Sequence, residues 1–99
     1  MEYKLITEEG YSRLIPEGDI KTSDSKGFEE RMLAELEASG KLIVDFEKIE
    51  YISSAGLRVL VLADQELNKN GGELSVTHVS DHIMDIFEMT GFDNMLTIV

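Results

Sequence analysis

The residues that most constrain the fold are 42–57, where a short apolar strand leads through a polar link into a pair of serines. The stretch begins with an uninterrupted apolar run, Leu-Ile-Val, which is typical of a strand buried on both faces. The two serines, Ser53 and Ser54, precede a helical pattern, and the hydroxyl of either one can accept a hydrogen bond from a backbone N–H of the first helical turn. The stretch therefore predicts a buried strand followed by a helix, with Ser53 or Ser54 as its N-cap.

The chain before this stretch reads as a β-hairpin followed by a helix. Residues 2–7 and about 11–15 have strand character, and the turn between them is too short for anything but an antiparallel return. Pro16 lacks a backbone N–H, so we expect it at an edge, at a bulge or where pairing ends, with 17–19 continuing as a loop. A helix should then begin near 24–25 and end at the Ser-Gly pair before the apolar strand.

The chain after the serines alternates between helix and strand. The second helix should end in the Asn-Gly-Gly sequence at 70–72, and the third should run from Ser80 to Gly91. Residues 73–77 and 95–99 read as the strands that follow these two helices.

The order of elements, β-β-α-β-α-β-α-β, predicts the fold class. An opening hairpin followed by helical crossovers predicts an α/β fold, in which a mixed sheet carries an antiparallel hairpin and then parallel strands, with helices packed on it. We expect a single domain over residues 1–99. The second helix has apolar residues beside its main stripe, so either it is covered on several sides or part of it is a docking patch. The flanking residues are Val59, Leu62 and Ala63.

Composition and charge narrow the class of protein. With 20 acidic and 9 basic residues, the chain has a formal charge of −11, which argues against binding nucleic acid or an anionic membrane and favours a protein partner with a basic patch. The absence of cysteine removes disulfides, thiolate nucleophiles and the commonest structural zinc ligands. No apolar run approaches the roughly 20 residues that span a bilayer, and no secretory signal pattern is present. We expect a cytoplasmic protein.

Sites for enzyme chemistry are poorly supported. Ser54 lacks the preceding glycine of a hydrolase nucleophile elbow, and His78 and His82 flank the expected cap Ser80, so they share no helical face and make a poor metal pair. Asp45 lacks the further carboxylates of a magnesium-dependent phosphoacceptor and is expected to accept hydrogen bonds from the link that follows it. Nucleotide binding has weak support, because the strand-to-helix turn at 53–56 offers one glycine and no following lysine, and no metal or other cofactor is predicted.

Phosphorylation of the protein itself is the reaction that remains after these exclusions. A phosphate on Ser54 would lie at a helix N-terminus, where backbone N–H groups and the helix dipole stabilise negative charge. Gly56 leaves the backbone there unobstructed, and Arg58, at i+4, can approach the phosphate. The alternatives are that Ser54 only caps the helix and that Arg58 is only solvated.

Several segments together resemble the STAS domains of bacterial anti-sigma factor antagonists. The most specific is 45–57, which is similar to that family's strand, link and Asp-Ser-Ser-Gly-Leu helix start. Segments 18–20, 70–74 and 87–92 are similar to the family's Gly-Glu-Leu-Asp sequence, its Gly-Gly turn and the end of its penultimate helix. The resemblance covers nearly the whole chain and implies a STAS-like single domain.

The resemblance also implies a partner-switching regulator that is not an enzyme. The unphosphorylated form of such a protein binds an anti-sigma factor that has serine kinase activity, and thereby releases a sigma factor, while a serine phosphatase reverses the modification. The family's phosphorylated serine falls on Ser54. The residues implied in partner binding are Gly18, Asp19, Lys21, Ser53, Ser54, Ala55, Gly56, Leu57 and Arg58.

Two residues depart from the family's pattern. Ser53 stands where the family often has Asp, which makes it a rival acceptor to Ser54, and Lys21 replaces the Asp that closes the Gly-Glu-Leu-Asp sequence. The second change alters the charge beside the expected site, so the partner is expected to differ from the best-known kinases. The alternative interpretation is a STAS scaffold, or a ligand-binding subunit of a larger regulatory or transport assembly, in which the serines only cap the helix.

Overall fold

The computed structural model describes the backbone of residues 1–99 and all side chains except those of Leu36, Ala38, Ser39 and Leu67. The elements, in chain order, are β1 (Glu2–Glu8), β2 (Tyr11–Ile20), α1 (Ser25–Ser39), β3 (Lys41–Asp45), β4 (Ile49–Ile52), α2 (Ser54–Lys69), β5 (Glu73–Thr77) and α3 (Asp81–Thr90). Two short 3₁₀ turns cover Thr22–Asp24 and Phe92–Asn94.

Strand β2 is the centre of the sheet. It pairs with β1 in the antiparallel sense along the whole of β1, which confirms the predicted hairpin. On the other side of β2, Ser12–Leu14 pairs with β3 and Gly18–Ile20 pairs with β4, both in the parallel sense. Strand β5 extends the sheet beyond β3, again in parallel. This mixed sheet, with helices in its parallel crossovers, confirms the predicted fold class.

The prediction that the second strand ends near Ile15, with a loop at 17–19, is wrong, and of the alternatives for Pro16 the end of pairing is excluded. Strand β2 continues to Ile20, and its parallel neighbour changes from β3 to β4 around Pro16. The N–H of Gly18 donates to the Lys48 carbonyl on the β4 side, at 3.0 Å. Because residues two apart in a strand point the same way, the nitrogen of Pro16 faces that side too, in the gap between β3 and β4. The missing N–H therefore breaks no ladder, and the strand tolerates the proline.

The link after β3 contains a strand that the sequence analysis did not predict. Strand β4 is short, and its two buried residues are Ile49 and Ile52, with two exposed residues between them. This spacing lacks the alternation that marks a half-buried strand. Strand β4 forms because β2 runs far enough past Pro16 to pair with it.

The predicted terminal strand at 95–99 is also wrong. Only an isolated parallel bridge joins Ile98 to Val76 of β5. The Val76 N–H donates to the Thr97 carbonyl, and the Val99 N–H donates to the Val76 carbonyl, both at 2.9 Å. The 3₁₀ turn just before this segment shortens its extended part, so pairing reaches no further along β5.

The core lies between one face of the sheet and the helices. Alternate residues are buried in β2 as far as Pro16, in β3 and in β5, while residues between them, such as Arg13, Ile43 and Ser75, remain partly exposed. Asp45 at the end of β3 is buried as well. From the helices, the fully buried side chains include Phe28, Met32, Leu57, Leu60, Ile83 and Phe87. Among the residues that the structure describes, no helix combines the length and apolar character needed to cross a membrane.

Helix α3 begins and ends where the sequence predicts. The Oγ of Ser80 accepts a hydrogen bond from the Ile83 N–H at 3.2 Å, which is an N-cap. Gly91 ends the helix with a φ of 76°, a conformation that favours glycine.

Candidate functional site

Ser53 joins β4 to α2 as a buried helix cap. It is 4% exposed. Its N–H donates to the Ile20 carbonyl of β2 at 2.8 Å, and its carbonyl accepts the N–H of Leu57 at 2.9 Å. Its Oγ accepts the N–H of Gly56 at 3.1 Å. Of the two serines, Ser53 is therefore the N-cap, and all its polar groups are engaged within the protein.

Gly56 lets the first turn of α2 pack directly on the ends of β2 and β4. A Cβ at this position would lie 2.8 Å from Ile20 Cγ2 and 2.9 Å from Ile52 Cγ1. Both distances are well inside the roughly 3.5–4.0 Å at which carbon atoms pack best, so the close approach requires glycine. The next residue, Leu57, is 1% exposed and belongs to the core.

Ser54 begins α2 and is exposed to solvent. Its hydroxyl makes no hydrogen bond with any residue that the structure describes. Arg58, one turn further along, is exposed and forms no ion pair within the described part of the chain. Because helical side chains lean toward the N-terminus, the Arg58 guanidinium can reach the space above Ser54. Within the described part of the chain, an unpartnered hydroxyl and, one turn further on, an unpaired cation thus occupy the first turns of α2, at its positive end.

The end of β2 brings further predicted partner residues toward the serines. The last residue of β2 pairs with the last residue of β4, so Lys21 follows directly beside Ser53. Lys21 is exposed, and so is Asp19, one pair further back. Gly18 pairs with the first residue of β4, and it is therefore the most distant of the three from Ser54.

Burial corrects the predicted partner surface. The side chains of Ser53 and Leu57, and the backbone of Gly56, are buried and support the site from beneath. They are inaccessible because the first turn of α2 packs against Ile20 and the core. The predicted partner residues that a protein can reach are Gly18, Asp19, Lys21, Ser54 and Arg58, with Ala55 partly exposed.

The sequence left open whether α2 is covered on several sides or carries a docking patch, and the structure shows that most of its apolar residues are buried. Its residues Leu57, Leu60, Val61 and Ala63 are buried. Leu62 is 46% exposed and faces a groove between α1 and α2. Among the described apolar residues of α2, Leu62 is therefore the exposed one, with Ala55 and Val59 partly exposed.

Asp45 connects the end of β3 with the link that follows it, with β2 and with the segment after β5. It is 2% exposed, and its Oδ1 accepts the Glu47 N–H at 2.9 Å, which confirms the expected role as an acceptor for the link. Its Oδ1 also lies 3.1 Å from His78 Nδ1, and the Arg13 guanidinium lies 3.5 Å from Oδ2.

These contacts disfavour a metal ion at Asp45, because its oxygens already have partners. Ligand atoms of Asp45, Glu47 and His78 lie within 4.8 Å of one another, and among the described residues this is the one group of at least three such ligands. Both oxygens of Asp45 are already engaged, however, and Arg13 would repel a cation there. His82 is exposed and is not part of the group.

Tyr51 is a residue near the site that the sequence analysis did not single out for a role. It is 46% exposed and lies in β4, paired with Asp19. The sequence feature that could have indicated its position is the pattern Ile-Glu-Tyr-Ile, because an aromatic residue flanked by isoleucines is typical of a strand. Its position places an aromatic ring on the surface that also carries Asp19.

The chain was compared with protein-family models and with curated proteins, and both comparisons give matches. The STAS domain model matches residues 6–99. A candidate anti-sigma factor antagonist of Bordetella bronchiseptica, BtrV, is 30% identical over 77 residues, which cover 77% of this chain and 66% of BtrV. The anti-sigma-B factor antagonist of Staphylococcus aureus is 36% identical over 55 residues, which cover 56% of this chain and 51% of the relative. The chain thus spans between half and two thirds of these curated relatives.

Solved structures show the same fold at low identity. An anti-sigma factor antagonist from Mycobacterium paratuberculosis has a TM-score of 0.85 at 19% identity, covering 98% of this chain and 83% of that one. SpoIIAA has a TM-score of 0.76 in its unphosphorylated form, at 13% identity over 99% of this chain and 87% of its own. Its phosphorylated form has a TM-score of 0.74 at 13% identity, covering 99% and 91%. With a family model matched over nearly all of its residues, the chain belongs to the STAS domain family.

Proposed function

We propose that this chain is an anti-sigma factor antagonist that is switched off by phosphorylation of Ser54. The observation that carries the proposal is the division between the two serines. Ser53 is buried and its hydroxyl accepts a hydrogen bond, whereas Ser54 is exposed and its hydroxyl has no partner among the described residues. A kinase can reach the second and not the first. The names of BtrV and the Staphylococcus aureus relative support the antagonist role, and the two forms of SpoIIAA support phosphorylation as the switch.

The position of Ser54 suits a switch that leaves the fold unchanged. A phosphate adds about −1.5 to −2 charges at neutral pH, and a helix N-terminus stabilises such charge. The core beneath the site contains Ser53 and Leu57 but not the Ser54 side chain, so the modification requires no repacking. At an interface shaped for a neutral hydroxyl, however, the buried phosphate would be costly unless the partner supplied cations. Binding is therefore lost while folding is retained.

The proposed partners follow from this switch. The unphosphorylated form binds an anti-sigma factor with serine kinase activity, which frees a sigma factor, and a serine phosphatase restores that form. The chain is then the substrate of a kinase and a regulator, not an enzyme, and it acts in the cytoplasm without a cofactor. Its formal charge of −11 supports a protein partner over nucleic acid or a membrane.

The first experiment locates the phosphate. The chain is incubated with ATP and the candidate kinase, and its intact mass is measured. Ser54→Ala should take up no phosphate. The matched control is Ser53→Asp, which removes the rival hydroxyl but keeps a good N-cap, and it should be phosphorylated like the parent. Normal phosphorylation of Ser54→Ala would show that the site is wrong.

The second experiment measures binding of the anti-sigma factor by calorimetry. Ser54→Ala should bind like the unphosphorylated parent, whereas Ser54→Glu should bind at least about tenfold more weakly, which corresponds to about 1.4 kcal/mol. Gln65→Glu is the matched control, because it adds the same charge on an exposed part of α2 away from the site. Equal affinity of Ser54→Glu and Gln65→Glu would contradict the switch.

The scaffold interpretation remains the second candidate, and the same experiments separate it. It rests on the cap itself, because the hydrogen bond between the Ser53 hydroxyl and the Gly56 N–H explains the geometry of the helix start without any modification. A chain that takes up no phosphate from any candidate kinase, yet still binds a larger assembly, would favour the scaffold.

A further inference from the structure

Strand β1 forms one edge of the sheet, and the side of β1 that faces away from β2 is its outer edge. Within residues 1–99, whose backbone the structure describes throughout, β1 pairs with β2 and with no other strand. At the opposite edge of the sheet, the C-terminal segment covers part of β5 through the hydrogen bonds of Val76 with Thr97 and Val99. An uncovered edge presents N–H and C=O groups that can pair with another chain.

Alternation along the strands identifies the backbone groups on the outer edge. The Gly18 N–H points toward β4, so the N–H groups of Ile15 and the other odd-numbered residues before Gly18 point the opposite way, toward β1. The even-numbered residues of β1 lie opposite them and therefore use their backbone groups to bond β2. The residues between, Tyr3, Leu5 and Thr7, direct their N–H and C=O groups outward.

The outer edge lacks most of the features that keep sheet edges apart. All residues of β1 except Tyr3 are exposed, including Leu5 at 38% and Ile6 at 42%. The register with β2 runs without a shift, so β1 has no bulge, and it contains no proline. Its one lysine, Lys4, lies 3.7 Å from Glu17, and the lysine side chain is 66% exposed, so it can reach a second carboxylate. Strand β1 is therefore open to a further strand.

The charges along β1 favour a second copy of this chain as that strand. Three antiparallel registers with a two-fold axis join the outward groups over most of β1, and they are centred on Lys4, Leu5 or Ile6. The first places Lys4 opposite itself, and the second places Glu2 opposite Glu8 of the second copy. The register centred on Ile6 places Lys4 opposite Glu8 of the second copy, twice by symmetry. It is favoured because opposite charges across strands stabilise pairing and like charges destabilise it.

The register centred on Ile6 also suits the packing of the molecule. It joins the outward backbone groups of Leu5 to those of Thr7 of the second copy. Leu5 shares the helix-bearing face with buried Leu14, so Ile6 meets its own copy on the other face. With strands about 4.8 Å apart, the two β2 strands lie about 14 Å apart. Because α1 packs over β2 and β3, two α1 helices clear the roughly 8–10 Å that packed helices need.

We propose that β1 is a dimer interface, at which two copies of this chain join their sheets by antiparallel pairing of β1 centred on Ile6. The two sheets then form one continuous sheet with the helices on the same face. The formal charge of −11 on each copy opposes association, so salt should favour the dimer by screening that repulsion. The interface does not include Ser54 and does not depend on the function proposed for that residue.

Sedimentation equilibrium of the whole chain, in about 0.3 M sodium chloride, measures the association. The mass should rise from 11.1 kDa toward twice that value as the concentration increases from micromolar to millimolar. Amide hydrogen exchange by NMR reports the register. At high concentration the Leu5 and Thr7 amides should become protected, whereas the Tyr3 amide should not, because Tyr3 then lies opposite Glu9 in the turn of the second copy. A mass that stays at 11.1 kDa, or a dimer without protection at Leu5 and Thr7, would overturn the proposal.

Charge variants test the register itself. Glu8→Lys should weaken association about tenfold, because it places a lysine opposite Lys4 of the second copy at both ends of the interface. The same change lowers the net negative charge, so charge repulsion alone would strengthen association. Glu88→Lys is the matched control, since it makes this change at an exposed position of α3, and it should not weaken association.

The double variant Lys4→Glu with Glu8→Lys exchanges the two charges and leaves the net charge unchanged. It should recover most of the association that Glu8→Lys loses, because each glutamate again faces a lysine of the second copy. Association of Glu8→Lys as strong as that of Glu88→Lys, or a double variant as weak as Glu8→Lys, would show that β1 does not pair about Ile6.

Discussion

At position 56, a methyl group would meet Ile20 Cγ2 at 2.8 Å and Ile52 Cγ1 at 2.9 Å. We expect Gly56→Ala to lower the free energy of unfolding by about 1–3 kcal/mol, because the first turn of α2 must move away from β2 and β4. Gly27→Ala is the matched control, since Gly27 lies in α1 with open space around it. It should stabilise the chain by about 0.5–1 kcal/mol through helix propensity. Urea unfolding measures both, and equal effects would contradict the packing at Gly56.

The buried carboxyl of Asp64 predicts a pH dependence of stability. Burial raises its pKa in the folded chain above the ordinary value of 3.8, which applies to the unfolded chain. Between the ordinary and the raised pKa, the folded state therefore binds more protons than the unfolded state. Stability should therefore fall as the pH rises through the folded pKa, by about 1.4 kcal/mol for each unit of elevation. Relative to the parent, Asp64→Asn should gain stability over this window and hold the gain at neutral pH.

Urea unfolding from about pH 3 to about pH 7 measures this difference. Glu66→Gln, at an exposed position of the same helix, serves as the control and should show little gain. If the difference in the free energy of unfolding between Asp64→Asn and the parent stayed constant across this pH range, burial would not raise the pKa of Asp64.

At the scale of elements, the start of α2 separates the roles of the two serines. Ser53→Ala should cost about 1–2 kcal/mol, because it removes the cap and leaves the buried Gly56 N–H without an acceptor. Ser54→Ala is the matched control, since it deletes the same hydroxyl from an exposed position, and its stability should stay within about 0.5 kcal/mol of the parent. Thermal unfolding compares the two. A larger loss for Ser54→Ala would reverse the assignment of the cap.

The strands show which elements local patterns predict and which they do not. The apolar run Leu42–Val44 predicted β3 because a strand buried on both faces needs a continuous apolar sequence. Ser80 and Gly91 predicted the ends of α3 because caps act within one helical turn. Strand β4 was missed because Ile49–Ile52 is a strand only through its pairing with the far end of β2. The four residues of β4 do not by themselves indicate that they pair with a strand distant in the sequence.

At the scale of the whole molecule, the formal charge of −11 predicts how salt acts on stability. Self-repulsion among like charges destabilises the compact state, and screening weakens it. The melting temperature should therefore rise between about 0.02 M and about 0.3 M salt at neutral pH. Sodium chloride and tetramethylammonium chloride should act alike, because screening does not depend on the identity of the cation. A melting temperature that falls with salt would show that favourable ion pairs outweigh the repulsion.

By itself, the sequence determined the three helices and every strand except β4, the ends of α1 and α3, and the presence of two serines at the start of α2. It did not determine β4, and it wrongly predicted a strand at 95–99. These features depend on apolar periodicity and caps, which act between residues close in the chain. Only the tertiary structure decided that Ser53 is buried and Ser54 is exposed, that Leu57 lies beneath the site, and that Asp64 is buried in the same helix. The physical reason is that burial and pairing depend on residues far apart in sequence, such as Ile20, whose carbonyl and side chain hold the start of α2 in place.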